Sequence, residues 1–174
     1  LNAATPATPA STAKIVTAIA TLTVLDPTAV LTTRLVRGAP GDLVLVGGGD
    51  PTLRGTHPVR NGLGGGSLAE LAKQVSGPVN RIVVDDSLYT GPRLGPQWKP
   101  GYVTDGDVAP VESLMVDGGR QGKDGPRSAD PALQAGHQLA SLLHVKTVVR
   151  GTAPTGAVEV GHVDHLESAD DLLR

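Results

Sequence analysis

The chain has no cysteine and no phenylalanine, and its only aromatic residues are one tryptophan and two tyrosines. Without thiols there is no disulfide and no thiolate metal site, and the redox compartment cannot be read from cysteine usage. With so few aromatics, any core must be aliphatic, built from Val, Leu, Ile and Ala within a 39% apolar share. Positive charge is not in excess: the net charge is −2, which excludes the broad basic surface that nucleic acid requires. No apolar run reaches membrane-spanning length, so no transmembrane segment is expected in this chain. Neither a signal peptide nor an internal repeat is visible. What the chain has in quantity is glycine, 23 residues, and proline, 14. These lie between recognisable helix and strand patterns, so they punctuate turns and do not signal disorder. A length of 174 residues fits one moderate domain, or a small domain with part of another.

Taken in order, the pattern predicts a helix over Ser11–Leu25, ended by Asp26-Pro27 because the residue before proline is pushed out of helical geometry. Leu31–Arg37 and Asp42–Val46 alternate as strands around the Gly38–Gly41 turn and read as a hairpin. Ser67 and Glu70 form a capping box for a short helix to about Val75. Arg81–Asp85 is a buried-looking strand, and Thr90–Asp107 has no clear period. Asp130-Pro131 supplies an N-cap and a first-turn proline for a helix to about Leu143. Lys146–Arg150 and Val158–Val163 read as a second hairpin, and Ser168 as the cap of a final helix.

The chemistry concentrates at the first helix. Ser11 and Lys14 are three residues apart, which sets their side chains about one turn apart on one face. A serine hydroxyl becomes a nucleophile when a base takes its proton, and an amine held neutral by its surroundings can do that. A helix start also aims backbone N–H groups and the positive dipole end at a developing oxyanion. The structural alternative is that Ser11 is an N-cap and Lys14 a solvated lysine. Against it, Lys14 opens one of the most apolar stretches of the chain, and S-x-x-K occurs once.

Other motifs carry less. Gly47-Gly48-Gly49 follows a strand as a phosphate loop would, but Asp50-Pro51 comes next and no P-loop Lys-Ser/Thr follows. A turn with Asp50 satisfying loop N–H groups is expected. Gly118-Gly119-Arg120 is a sharp turn with no assigned chemistry. His162 and His165 are not spaced as a zinc-hydrolase helix; they, His57, His137 and His144 read as solvated or core residues, and no metal site is expected. Asp85 and Asp86 sit at a strand end, where neighbours point to opposite faces.

Leu1–Leu25 resembles the active-site start of the penicillin-binding proteins that are D-alanyl-D-alanine carboxypeptidases and endopeptidases. More narrowly, it resembles the class C, penicillin-binding-protein-4-like group, peptidase family S13. Three further stretches stand in that family's order: LVLVGGGDPTL from Leu43, RIVVDDSLY from Arg81 and VAPVESLMVDGGR from Val108. S-x-x-K with S-D-N and K-T-G is the known signature of these proteins.

The resemblance implies an α/β (α+β) chain: the start of a serine β-lactamase/transpeptidase-like catalytic domain, with a large inserted mixed α/β domain. Residues 1–30 would begin the catalytic domain, 31–165 would form the insertion, and 166–174 would return. It implies that Ser11 attacks the D-Ala-D-Ala carbonyl, Lys14 accepts its proton, and the Ser11 N–H forms one arm of the oxyanion hole. An acyl-enzyme then forms and is cleared by water. The partners implied are the peptidoglycan stem peptide ending in D-Ala-D-Ala and β-lactam antibiotics, with no cofactor, in an extracytoplasmic setting. Family members also carry an aspartate after a Gly-Trp pair that binds the stem's free amine. Here Gln97 precedes Trp98, the aligned position falls near Tyr102, and the neighbouring candidates are Asp105 and Asp107. No S-x-N or K-T-G is present: Lys146-Thr147-Val148 lacks the glycine, and Ser168-Ala169-Asp170 has aspartate for asparagine. The family's later motifs would lie beyond Arg174. The expectation is a fragment or processed piece of a longer secreted protein, essentially inactive alone. The rival reading is a non-catalytic cell-wall binding or scaffold module, and a weaker one a class A or C β-lactamase-like hydrolase.

Overall fold

The computed structural model describes residues 4–8, 10–26, 29–56, 65–122 and 125–165. The expected cap at Ser168, the 166–174 return and His57 lie outside these residues. The described residues divide into two units, one up to Val30 and one from Leu31 to His165.

In the first unit a 3₁₀ turn, Ala10–Thr12, runs directly into helix α1, Ala13–Val24. Backbone N–H of Leu25 closes the last turn on Thr21 O at 2.8 Å. Helix α1 carries no buried residue, and Ile15, Val16, Ile19, Leu22 and Val24 are all exposed.

The second unit is a five-stranded mixed sheet with helices on one face, a mixed α/β architecture. Its strands are β1 (Thr32–Arg37), β2 (Asp42–Val46), β3 (Arg81–Asp85), β4 (Thr147–Arg150) and β5 (Glu159–Asp164). They lie in the order β4-β3-β2-β1-β5. The β1/β2 hairpin forms as expected, with Leu35 opposite Leu45. β3 and β4 each add in parallel, and their crossovers carry helices α2 (Leu68–Lys73) and α4 (Pro131–Leu142). Both caps are as the sequence indicates. Ser67 Oγ accepts from Glu70 N at 3.2 Å and donates to the Glu70 carboxylate at 2.7 Å. Asp130 Oδ1 accepts from Leu133 N at 2.9 Å.

The second hairpin does not form. β4 lies at one edge, parallel to β3, and β5 at the other, antiparallel to β1. The reason is reach. The edges are four interstrand spacings apart, about 19 Å, and the eight residues Gly151–Val158 can extend about 26 Å. This segment instead packs Ala153 and Ala157 against Val36, Val44 and Val83, on the face away from the helices. The main core, on the helical face, is entirely aliphatic: Leu35, Leu43, Leu45, Ile82 and Val84 against Leu68, Leu71, Ala135 and Leu139.

Helix α4 lies close on the sheet because Gly136 has no side chain. A Cβ there would sit 2.4 Å from Val84 Cγ1 and 2.8 Å from Val148 Cγ1. Glycine to alanine in a helix gains about 1 kcal/mol of propensity, whereas overpacking costs about 1–3 kcal/mol. The two valines are β-branched and cannot rotate clear, so the clash should win. Gly136→Ala should lower stability by about 1–2 kcal/mol, read from the urea midpoint. A rise in midpoint would refute this packing.

Candidate active site

In the first unit the Ser11/Lys14 pair is assembled by local geometry alone. The 3₁₀ turn places Ser11 within helical backbone just ahead of α1, and Lys14 follows on the first turn of α1. Lys14 Nζ lies 3.4 Å from Ser11 Oγ and donates to it. Both side chains are exposed. Ala10, immediately before the serine, has φ 46°, a left-handed conformation that costs a non-glycine residue on the order of 1 kcal/mol. The residue thus turns the chain sharply into the serine. A hydroxyl touching an amine, at the N-terminal end of a helix, is an arrangement suited to acyl transfer.

The polar features of the second unit gather after β3. Asp85 and Asp86 do part company as strand neighbours. Buried Asp85 accepts from Ser87 N at 3.0 Å and Ala153 N at 2.7 Å. Asp86 instead meets Arg93 at 3.1 Å and Arg150 at 2.7 Å. At the centre of this network is Glu112, whose side chain has 0% exposure. Its Oε1 meets Arg93 at 2.6 Å and Arg150 at 3.0 Å, and its Oε2 accepts from Ala132 N at 2.7 Å. Arg150 also reaches Asp130 at 2.6 Å. Burial pushes the Glu112 carboxyl above the usual range, against the opposing pull of the Ala132 N–H and the two arginines. Sequence reasoning missed this network. Glu112 sits inside the VESLM stretch, but nothing in one sequence joins it to Arg93 and Arg150.

Two cavities open beside the network. One, of about 630 Å³, is lined by the 86–93 loop with Val111 and Glu112. The other, of about 390 Å³, is lined by Tyr89, Trp98, Asp107 and Arg127 among others. Asp107 and Asp105 are therefore separated in place. Asp107 faces the second cavity beside Trp98, while Asp105 ends helix α3 (Gly101–Thr104) and takes a hydrogen bond from Thr104 Oγ1 at 3.4 Å.

The glycine runs are turns. Asp50 Oδ1 accepts from Thr52 N at 2.8 Å and Thr52 Oγ1 at 2.7 Å. Asp117, Gly118 and Gly119 all have positive φ. His162 Nδ1 lies 2.7 Å from Glu159 on the exposed side of β5, whereas His165 is buried. Among the described residues no group of three His, Asp or Glu side chains is placed to hold a metal ion. Likewise no described helix is long and apolar enough to cross a membrane.

Comparison with known proteins covers nearly the whole chain. The profile of the D-Ala-D-Ala carboxypeptidase 3 (S13) family matches residues 1–130. Carboxypeptidase Rv3627c of Mycobacterium tuberculosis is 40% identical over 171 residues, covering 91% of this chain and 37% of that protein. Carboxypeptidase DacB of Mycolicibacterium smegmatis is 41% identical over 167 residues, covering 89% of this chain and 36% of that protein. The crystal structure of penicillin binding protein 4 (dacB) from Haemophilus influenzae superposes with a TM-score of 0.64 at 18% identity, over 94% of this chain and 52% of that one. The chain thus spans a little over a third of the length of the two carboxypeptidases.

Proposed function

Because the chain belongs to the D-Ala-D-Ala carboxypeptidase 3 (S13) family, we propose that it carries the nucleophile of a serine D-Ala-D-Ala carboxypeptidase or endopeptidase. The reading places the protein at the cell envelope, outside the cytoplasm, acting on peptidoglycan stem peptides and acylated by β-lactams. The observation that carries it is the contact of 3.4 Å between Lys14 Nζ and Ser11 Oγ. In this reading Lys14, as the free amine, takes the Ser11 proton while Oγ attacks the penultimate D-Ala carbonyl. The Ser11 N–H donates to the oxyanion as charge develops on it. D-Ala leaves with a proton, and water later releases the acyl group from Oγ. Residues 1–30 act as the start of the catalytic domain, 31–165 as an insertion and 166–174 as the return.

Asp107 is the preferred recognition carboxylate for a free amine of the stem, since it borders a cavity with Trp98, and Asp105 is the weaker candidate. The oxyanion strand and the serine that relays the leaving-group proton belong to later family motifs. A single oxyanion donor is worth about 3–4 kcal/mol, so labelling by this chain alone should be very slow. The test is mass spectrometry of a digest after labelled penicillin is added to a protein of the relatives' full length. The adduct should lie on the peptide bearing Ser11 and vanish in Ser11→Ala. An adduct on another serine would overturn the assignment.

A further inference from the structure

Three non-glycine residues among those described have positive φ: Ala10 at 46°, Asp117 at 53° and His144 at 56°. Asp and His are residue types enriched in that region, and alanine is not. The Cβ disfavours it, and alanine has no polar group to hydrogen-bond locally in return. Packing does not impose it either. Ala10 is exposed, and neither the Ala10–Thr12 turn nor α1 buries any residue. This strained residue stands directly before Ser11.

The sequence offers an easier path. Thr8-Pro9 reads as a cap and a first-turn proline, and alanine is the best helix former. A helix begun there would have Pro9, Ala10 and Ser11 as its first three residues. An N-cap hydroxyl accepts from the N–H of the second or third residue. Thr8 would therefore take the Ser11 N–H, the donor that acyl transfer needs for the oxyanion. The structure follows the other path. Thr8 stands outside the helix. Thr12 is the cap residue of α1, with no side-chain cap bond. Ser11 Oγ accepts from Lys14 Nζ and does not cap. A left-handed residue cannot sit within the continuous α-helix of the first path, so the backbone of Ala10 is what parts the two.

We propose that Ala10 is a positioning residue: its left-handed backbone keeps α1 from running back to a Thr8 cap and so reserves the Ser11 N–H and hydroxyl for the acyl group. This role rests on the acyl-transfer reading above.

The test compares Ala10→Asn with Ala10→Leu in a protein of the relatives' full length. The two side chains are close in size, but asparagine tolerates the left-handed region and leucine does not. A role for side-chain bulk would move both alike. Ala10→Asn and Ala10→Gly should be labelled by penicillin within about threefold of the unmodified rate. Ala10→Leu should be slower by about 10–10²-fold, the scale of a small misplacement at a reacting centre. The loss should lie in the rate at saturating penicillin, not in the half-saturating concentration, with the unfolding midpoint unchanged. A second measurement needs no activity. Amide hydrogen exchange of Ser11 in the 174-residue chain should slow about fivefold in Ala10→Leu, the scale of one N-cap bond, and stay unchanged in Ala10→Asn. If Ala10→Leu does not fold at full length, this exchange decides. Equal labelling rates in the folded Asn and Leu variants, or equal Ser11 exchange, would overturn the role of Ala10. An unmodified protein that gains no adduct on Ser11, with the exchange pattern as expected, would count against the acyl-transfer reading alone and uphold the left-handed break at Ala10.

Discussion

Replacing Lys14 with alanine should slow acylation of Ser11 by a labelled penicillin about 10²–10⁴-fold, the usual worth of a positioned general base. The measurement is the rate of adduct formation in a protein of the relatives' full length, compared with the Lys14→Ala variant. Lys14 is on the first turn of α1 with its amine against Ser11 Oγ, and it contributes nothing to a packed core, since no residue of α1 is buried. The loss should therefore appear in rate, with the folded signal and unfolding midpoint unchanged. Lys14→Arg is the sharper variant. It keeps the positive charge and the reach but not the chemistry, because a guanidinium holds its proton under all working conditions. If charge alone mattered, arginine would rescue. If a proton must be accepted, arginine should be as slow as alanine. Full-speed labelling of either variant would remove Lys14 from the mechanism.

Glu112→Ala should destabilise the second unit by about 3 kcal/mol, the lower end of the range for breaking a buried ion pair, because Arg93 and Arg150 keep some access to water. The alanine leaves Ala132 N–H without its acceptor, removes the shared anion between the two arginines, and opens a cavity. Glu112→Gln should cost far less. It keeps the shape and a carbonyl oxygen, and burial already works against the charged form of Glu112. The sign with pH follows from the raised folded-state pKa. Between the ordinary glutamate pKa and the raised one, the native state holds more protons than the unfolded state. The stability that Glu112 contributes is therefore present at low pH and is lost as pH rises through its folded pKa. Urea unfolding of Glu112→Gln and the unmodified protein across that interval should show the unmodified protein losing ground as pH rises. A parallel pair of pH profiles would mean that Glu112 titrates normally.

Neither the network around Glu112 nor the edge placement of β4 and β5 was legible in the sequence, and for the same reason. A strand pattern states which faces are apolar, not which neighbour is taken. Lys146–Arg150 and Val158–Val163 have the look of a hairpin because their spacing is short. The pairing was instead settled by β3, whose free edge accepts β4 in parallel, and by β1, which accepts β5. Asp86, Arg93, Glu112, Asp130 and Arg150 come from four separate stretches, so only the closed sheet brings their charges together.

The parts the sequence determined by itself are those whose partners lie within a few residues. Ser11 meets Lys14 because three helical residues return to the same face. The capping box at Ser67, the Asp130 cap and the Asp50 turn close within their own segments. So did the motifs that carry the family resemblance, each a contiguous run. The tertiary structure alone decided where the aromatic residues stand. An aliphatic sheet core filled by Leu, Val and Ile left no room that Tyr89, Trp98 or Tyr102 was needed to fill. It also separated Asp107 from Asp105, two residues apart in sequence, because the turn after α3 sends one carboxylate to the cavity and folds the other back on the helix.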